Sequence, residues 1–180
     1  MLESAEGKWE LVLLRHGIAE ERRPDQADAG RALTDRGRQR SRAVLLKASS
    51  LGLKADRLFS SPLIRARQTA EIAVDVGLAA ALELAESLAP GADPLPLVEA
   101  WLATGRDGEP APRRLLLVGH EPDLGLLAAR LIGAAPGSVP LRKAGLALLA
   151  LPGAAVWTTG SPLMGEASLQ LLLTPRVLLA

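Results

Sequence analysis

The chain has 180 residues, 48% hydrophobic and 23% charged, the balance of a globular protein with one sizeable core. A net charge of +1 supplies no global field to draw nucleic acid or an anionic membrane, and 2% aromatic content leaves almost no platform for stacking single-stranded bases. The absence of Cys excludes a disulfide scaffold, a thiol nucleophile and a cysteine metal site.

Met1–Trp9 is mixed and acidic, without the basic-then-apolar pattern of a signal peptide. The longest apolar tract, Ala144 to Trp157, is broken by Pro152 and Gly153 and is too short to span a bilayer. The expectation is therefore one domain over residues 1–180 in the cytoplasm. Trp9 to Leu14 predicts a strand, and Leu11-Val12-Leu13-Leu14 reads as buried on both faces. It ends on Arg15-His16-Gly17, which puts charge and imidazole at the carboxyl end of a central strand, where open α/β sheets place their ligands. Ile18 to Leu33 is a polar loop, expected to border whatever site Arg15 and His16 form, or else to be a surface excursion.

Thr34 predicts an N-cap and Asp35 the first turn of a helix running to about Ser50, with Gly52 just beyond it. Arg36, Arg38, Arg40 and Arg42 form its solvated face, or a docking face for an acidic partner; Val44, Leu45 and Leu46 supply the core. Leu58-Phe59-Ser60 predicts a short strand. Ser61 then serves as N-cap and Pro62 as first residue of a helix to about Gly77, with Arg65, Thr69 and Ile72 on one face and Arg67 able to pair with Glu71. Leu82 to Leu84 predicts a third strand. Asp93 caps a helix over about 94–104, and residues 105–114 form a surface connection. Leu115 to Val118 repeats the first strand's design and leads into Gly119-His120. Pro122 then opens a helix ending near Gly133, and strands follow over about 145–151 and 168–173. Strands alternate with helices, so the fold class is α/β with a mainly parallel sheet.

The chain's two histidines both follow buried strands. Each on its own could be a satisfied strand-end residue; together they point to one site. Arg15, His16, Arg65 and His120 come from three strand-to-loop or strand-to-helix junctions. Two guanidinium forks, two imidazoles and helix N-termini make a pocket for a dianion, and phosphate matches arginine forks best. Zinc held by the histidines with Glu121 or Asp123 is disfavoured by the neighbouring arginines and by the absence of H-x-x-x-H spacing, so no metal or cofactor is expected. Neither a Walker loop nor G-x-S-x-G occurs. In such a pocket a neutral imidazole is a nucleophile toward phosphorus. Arg15 and Arg65 would hold His16 neutral, a backbone carbonyl would fix its tautomer, and His120, better protonated, would stabilise the transferring group.

Leu13-Leu14-Arg15-His16-Gly17 resembles the arginine-histidine-glycine signature of the histidine phosphatase superfamily, also called phosphoglycerate-mutase-like. Ser60-Ser61-Pro62-Leu63-Ile64-Arg65-Ala66-Arg67-Gln68-Thr69-Ala70 resembles its second arginine motif, and Val118-Gly119-His120-Glu121 its second histidine motif. Leu33-Thr34 with Gly37 is similar to the helix start found there. The resemblance implies a three-layer α/β/α sandwich around a mainly parallel six-stranded sheet. It implies His16 as the phosphorylated nucleophile, and Arg15, Gly17, Arg65 and His120 as the groups that bind substrate. The short chain resembles the SixA-type phosphohistidine phosphatases, whose substrate is a phosphorylated protein such as a histidine phosphotransfer domain. Sugar-phosphate members carry a general-acid carboxylate on an insert, and little spare length lies between Ala70 and Leu115; Glu86 and Asp93 are the candidates near that position. Releasing imidazole (conjugate acid about 6.5) needs an acid far less than releasing an alkoxide. A small-molecule phosphomonoesterase or mutase of the same superfamily is one alternative, and a non-catalytic phosphate-binding module another.

Overall fold

The computed structural model describes residues 9–25, 27–104, 113–152 and 163–180. Most of the connection expected over 105–114 lies outside these residues, as do Met1 to Lys8 and the end of the apolar tract. The described strands are β1 (Trp9–Arg15), β2 (Arg57–Ser60), β3 (Glu83–Leu84), β4 (Arg113–Gly119), β5 (Leu146–Leu151) and β6 (Ser168–Leu173). The helices are α1 (Asp35–Ser50), α2 (Ile64–Asp75), α3 (Leu95–Ala103), α4 (Asp123–Leu131) and α5 (Pro175–Leu178).

The strands form one six-stranded sheet in the order β3-β2-β4-β1-β5-β6. β1, β2, β3 and β4 pair in parallel, and β5 runs antiparallel to both β1 and β6. β5 is therefore the one strand of this sheet that opposes the rest. Alternation along β1 divides the core. Leu11 and Leu13 pack with Val98, Trp101 and Leu102 of α3 and Leu124, Leu127 and Leu131 of α4. Val12 and Leu14 pack on the other face with Val44, Leu45 and Ala48 of α1, Ala66, Ala70 and Ala73 of α2, and Leu178 of α5. Helices on both faces of a largely parallel sheet give the expected α/β/α sandwich. No described helix is long and apolar enough to cross a membrane.

Four expectations need correction. Leu46 is half exposed, because the core-facing stripe of α1 runs through Gly37, Ser41, Val44, Leu45 and Ala48. Helix α2 begins at Ile64, with Leu63 rather than Ser61 as N-cap. The Ser61 N–H bonds Val118 O at 2.9 Å, so the β2–β4 ladder carries on to Ser61 and delays the helix. Pro94, not Asp93, is the N-cap of α3, although Asp93 Oδ1 still accepts the Leu95 N–H at 3.0 Å. The loop 18–33 is more structured than its composition implies: a 3-10 turn covers Asp28–Gly30, and an isolated bridge joins Ala19 to Leu33.

Thr34 does cap α1, accepting the Gly37 N–H at 3.0 Å. Gly37 is required by space: a Cβ there would lie 2.0 Å from the Ile18 carbonyl oxygen. The start of α1 is thereby held against the first residue of the loop that leaves His16.

Candidate phosphate-binding site

Placing β4 beside β1 brings the two histidine-bearing strand ends together. Arg15 pairs in register with Gly119, and the His16 N–H donates to Gly119 O at 3.0 Å. The His16 and His120 rings then lie 5.1 Å apart between centroids. Arg65, in the first turn of α2, donates from Nε to His16 Nε2 at 3.3 Å. A cavity of about 210 Å³ is lined by Arg15, His16, Arg65 and His120, together with Ala19, Asp28, Arg31, Pro90, Glu121 and Lys143. All four residues expected to form the pocket therefore meet in one place.

His16 is fixed in a single tautomer. Its Nδ1 lies 2.7 Å from Gly17 O, and a carbonyl can only accept, so Nδ1 carries the proton and Nε2 the lone pair. Gly17, expected to bind substrate, is engaged within the protein: its carbonyl holds His16, and its N–H donates to Thr69 Oγ1 at 3.1 Å. Thr69 Oγ1 in turn donates to Arg65 O at 2.7 Å, and Gln68 Oε1 accepts the Leu33 N–H at 2.8 Å. The inner face of α2 thus positions Arg65, the His16 turn and the end of the loop together.

Burial pushes the His16 imidazole down to about 3, with His120, Arg65 and Arg15 adding to the effect and the Gly17 carbonyl opposing it. The expected neutral His16 holds, but burial rather than the arginines is the leading cause. His120, expected to be the better protonated of the two, is so only relative to His16. Burial, then Arg65, lowers it to about 4, so its imidazole is above that of His16 yet still neutral at pH 7.

The loop 18–33, expected to border the site, lines the cavity through Ala19, Asp28 and Arg31, although the sequence singled out none of the three for a role there. Asp28 Oδ2 accepts from Arg65 Nη2 at 2.9 Å, its carbonyl accepts from Arg65 Nη1 at 2.8 Å, and its Oδ1 pairs with Arg31 at 2.8 Å. Burial works against the ionised Asp28 carboxylate, but the two arginines outweigh it and hold it below the ordinary range. The segment Leu141–Gly145 wraps Arg15. Leu141 O accepts from Arg15 Nη1 at 2.8 Å, and the Ala144 N–H reaches the carbonyls of Arg15 and His16. Ala144 sits at φ +59°, a left-handed conformation that a residue with a Cβ adopts at a cost, here at the functional site.

Neither Glu86 nor Asp93 lines the cavity. Asp93 pairs with Arg130 at 2.9 Å at the surface instead. The carboxylate that does line it on the His120 side is Glu121. Burial pushes its carboxyl up, against the Leu141 N–H bonded to Oε1 at 2.8 Å and the charge of Arg15. Among the described residues no group of three or more His, Cys, Asp or Glu is placed to hold a metal ion. The arrangement offers an unprotonated imidazole nitrogen, held by Arg65 Nε and surrounded by cationic donors, which suits attack on a bound phosphoryl group.

Comparison with known proteins identifies a family for the chain. Residues 11–89 match the model of the histidine phosphatase superfamily (branch 1). An uncharacterised protein of Picosynechococcus sp. (strain ATCC 27264 / PCC 7002 / PR-6) is 39% identical over 139 residues, 76% of this chain and 82% of the relative. The protein histidine phosphatase SixA, solved with tungstate, superposes with a TM-score of 0.74 at 25% identity, covering 93% of this chain and 97% of its own. A mycobacterial glucosyl-3-phosphoglycerate phosphatase shares the fold at a TM-score of 0.65 and 20% identity, over 89% of this chain and 96% of its own. The chain belongs to the histidine phosphatase superfamily.

Proposed function

We propose that this protein is a phosphohistidine phosphatase that works through a phosphorylated His16. The observation that carries the reading is the fixed His16 tautomer: Nε2 is unprotonated near neutral pH and accepts from Arg65 Nε at 3.3 Å in a cavity that also holds Arg15 and His120. As the Arg65 guanidinium turns from Nε2 to the phosphoryl oxygens, Nε2 attacks phosphorus in line, and the substrate ring, protonated on its other nitrogen, leaves as neutral imidazole. Arg15, Arg65 and His120 stabilise the charge on the equatorial oxygens, and the Gly17 carbonyl stabilises the Nδ1–H of the phosphorylated ring. Water then attacks the phosphohistidine, returns His16 to its resting state and releases inorganic phosphate. No step in this sequence calls for a metal.

The similarity to a protein histidine phosphatase and the low acid demand of an imidazole leaving group support a P–N substrate on a protein. Glu121 favours a second reading. Its carboxyl lines the cavity and is held toward the protonated form, so an acid for an alkoxide leaving group has a candidate after all. Under that reading the protein is a phosphomonoesterase for small molecules. A panel of phosphohistidine peptide, sugar phosphates and nucleotides, assayed on the parent and on Glu121→Gln, separates the two. Turnover of phosphohistidine that is indifferent to Glu121→Gln is expected. Turnover confined to esters, falling about 100-fold in Glu121→Gln, would establish the second reading.

A further inference from the structure

We propose that Ser61 is a positioning residue that fixes His120 as its Nδ1–H tautomer, so that His120 offers a bound phosphoryl group an N–H and not a lone pair. This builds on the phosphate-site reading above but rests on its own hydrogen-bond arithmetic. Ser61 and His120 are both buried, and Ser61 Oγ lies 2.8 Å from His120 Nε2. The same Oγ accepts the Leu63 N–H at 3.3 Å, so one of its lone pairs is engaged. A hydroxyl has one proton to give, and among the described residues His120 Nε2 is the acceptor placed to take it.

The opposite arrangement fails on two counts. With the proton on Nε2, the buried Ser61 hydroxyl would hold its own hydrogen without an acceptor while accepting two others, at the cost of an unsatisfied donor. Nδ1 would then be a bare lone pair. Nδ1 is already the ring's buried polar atom without a hydrogen-bond partner, in a residue that lines the cavity with Arg15, His16 and Arg65. A lone pair there would repel the dianion the arginines attract, whereas an N–H donates to it. The proton from Ser61 thus lets a neutral His120 stabilise phosphoryl transfer, the role that protonation alone was expected to give it. The two histidines become complementary: His16 shows phosphorus a lone pair at Nε2 because Gly17 O takes its Nδ1–H, and His120 shows a proton at Nδ1 because Ser61 supplies one at Nε2.

Imidazole tautomers are read directly by long-range proton–nitrogen NMR correlation on the resting protein at pH 7.5, with no substrate present. The parent is expected to show His120 as neutral Nδ1–H and His16 as neutral Nδ1–H. Ser61→Ala is expected to move His120 toward the Nε2–H form and to lower kcat roughly 10-fold or more with KM little changed, and Ser61→Thr to restore both. A parent His120 in the Nε2–H form, or doubly protonated, overturns the proposal without any variant. So does a folded Ser61→Ala that keeps both the Nδ1–H form and the parent kcat. Because the tautomer is read in the resting protein, it stands or falls independently of whether phosphohistidine is the substrate.

Discussion

Arg65 carries three separate duties on one guanidinium: Nε meets His16, while Nη1 and Nη2 hold the carbonyl and carboxylate of Asp28. A lysine ammonium has the charge but not the planar fork, so Arg65→Lys cannot reproduce this geometry. Its kcat on an aryl phosphate should fall by about 100-fold or more; steady-state rates within a few-fold of the parent would show that the fork is not needed. The histidines make a second prediction. Unfolded, each titrates near 6.5; folded, they titrate near 3 and 4. As pH falls below 6.5 the unfolded chain takes up protons that the folded chain refuses. Stability is therefore full above that value and declines on acidification, by at most about 1.4 kcal/mol per pH unit for each histidine. Urea midpoints between pH 7 and pH 5 should fall more steeply for the parent than for His16→Gln/His120→Gln. Parallel curves would contradict the buried neutral pair. The variant comparison also cancels Glu121, whose raised value acts in the opposite direction. At this scale Arg15, His16, Arg65 and His120 were legible because each follows a strand or opens a helix at a fixed offset. Asp28, Arg31 and Lys143 were not, since a charged residue in a polar loop reads the same whether it faces solvent or a cavity.

Among the elements, the loop 18–33 shows best how local chemistry sets a site. Its 3-10 turn is tied to α2 through Asp28, and its first residue is tied to the cap of α1 through the Thr34 N–H and hydroxyl, both donating to Ile18 O. Removing the Asp28 carboxylate should loosen one end only. In Asp28→Ala, amide exchange at Gly30 and Arg31 should accelerate about 10-fold or more while the amides of α1 remain protected. Unchanged exchange at Gly30 and Arg31 would mean that the loop is held without the Asp28–Arg65 pair. The α1 cap was readable from Thr34 because the bond is local, spanning three residues. The start of α2 was misplaced for a converse reason. Ser61-Pro62 favours a helix start locally, but Val118 O, far away in sequence, captures the Ser61 N–H and keeps it at the strand end beneath His120.

At the scale of the whole molecule, the site exists because β4 is inserted between β2 and β1. Two strands separated by about a hundred residues become neighbours, and their carboxyl ends carry the two histidines. Runs such as Leu11–Leu14 and Leu115–Val118 announced buried central strands, and so the α/β class. Their order across the sheet and the reversed β5 were not readable, because pairing partners are chosen by non-local packing and not by local pattern. The C-terminal segment folds as α5 against α1 and buries Leu178 in the core with Val44 and Leu45. Everything proposed for the site turns on His16 as the phosphoryl acceptor. The most direct test is rapid mixing with a phosphohistidine peptide, quenching without acid, and mass spectrometry of the protein. A transient added phosphate on His16, absent in His16→Ala along with turnover, is the predicted result. Turnover that persists in His16→Ala, with no adduct on the parent, would contradict it.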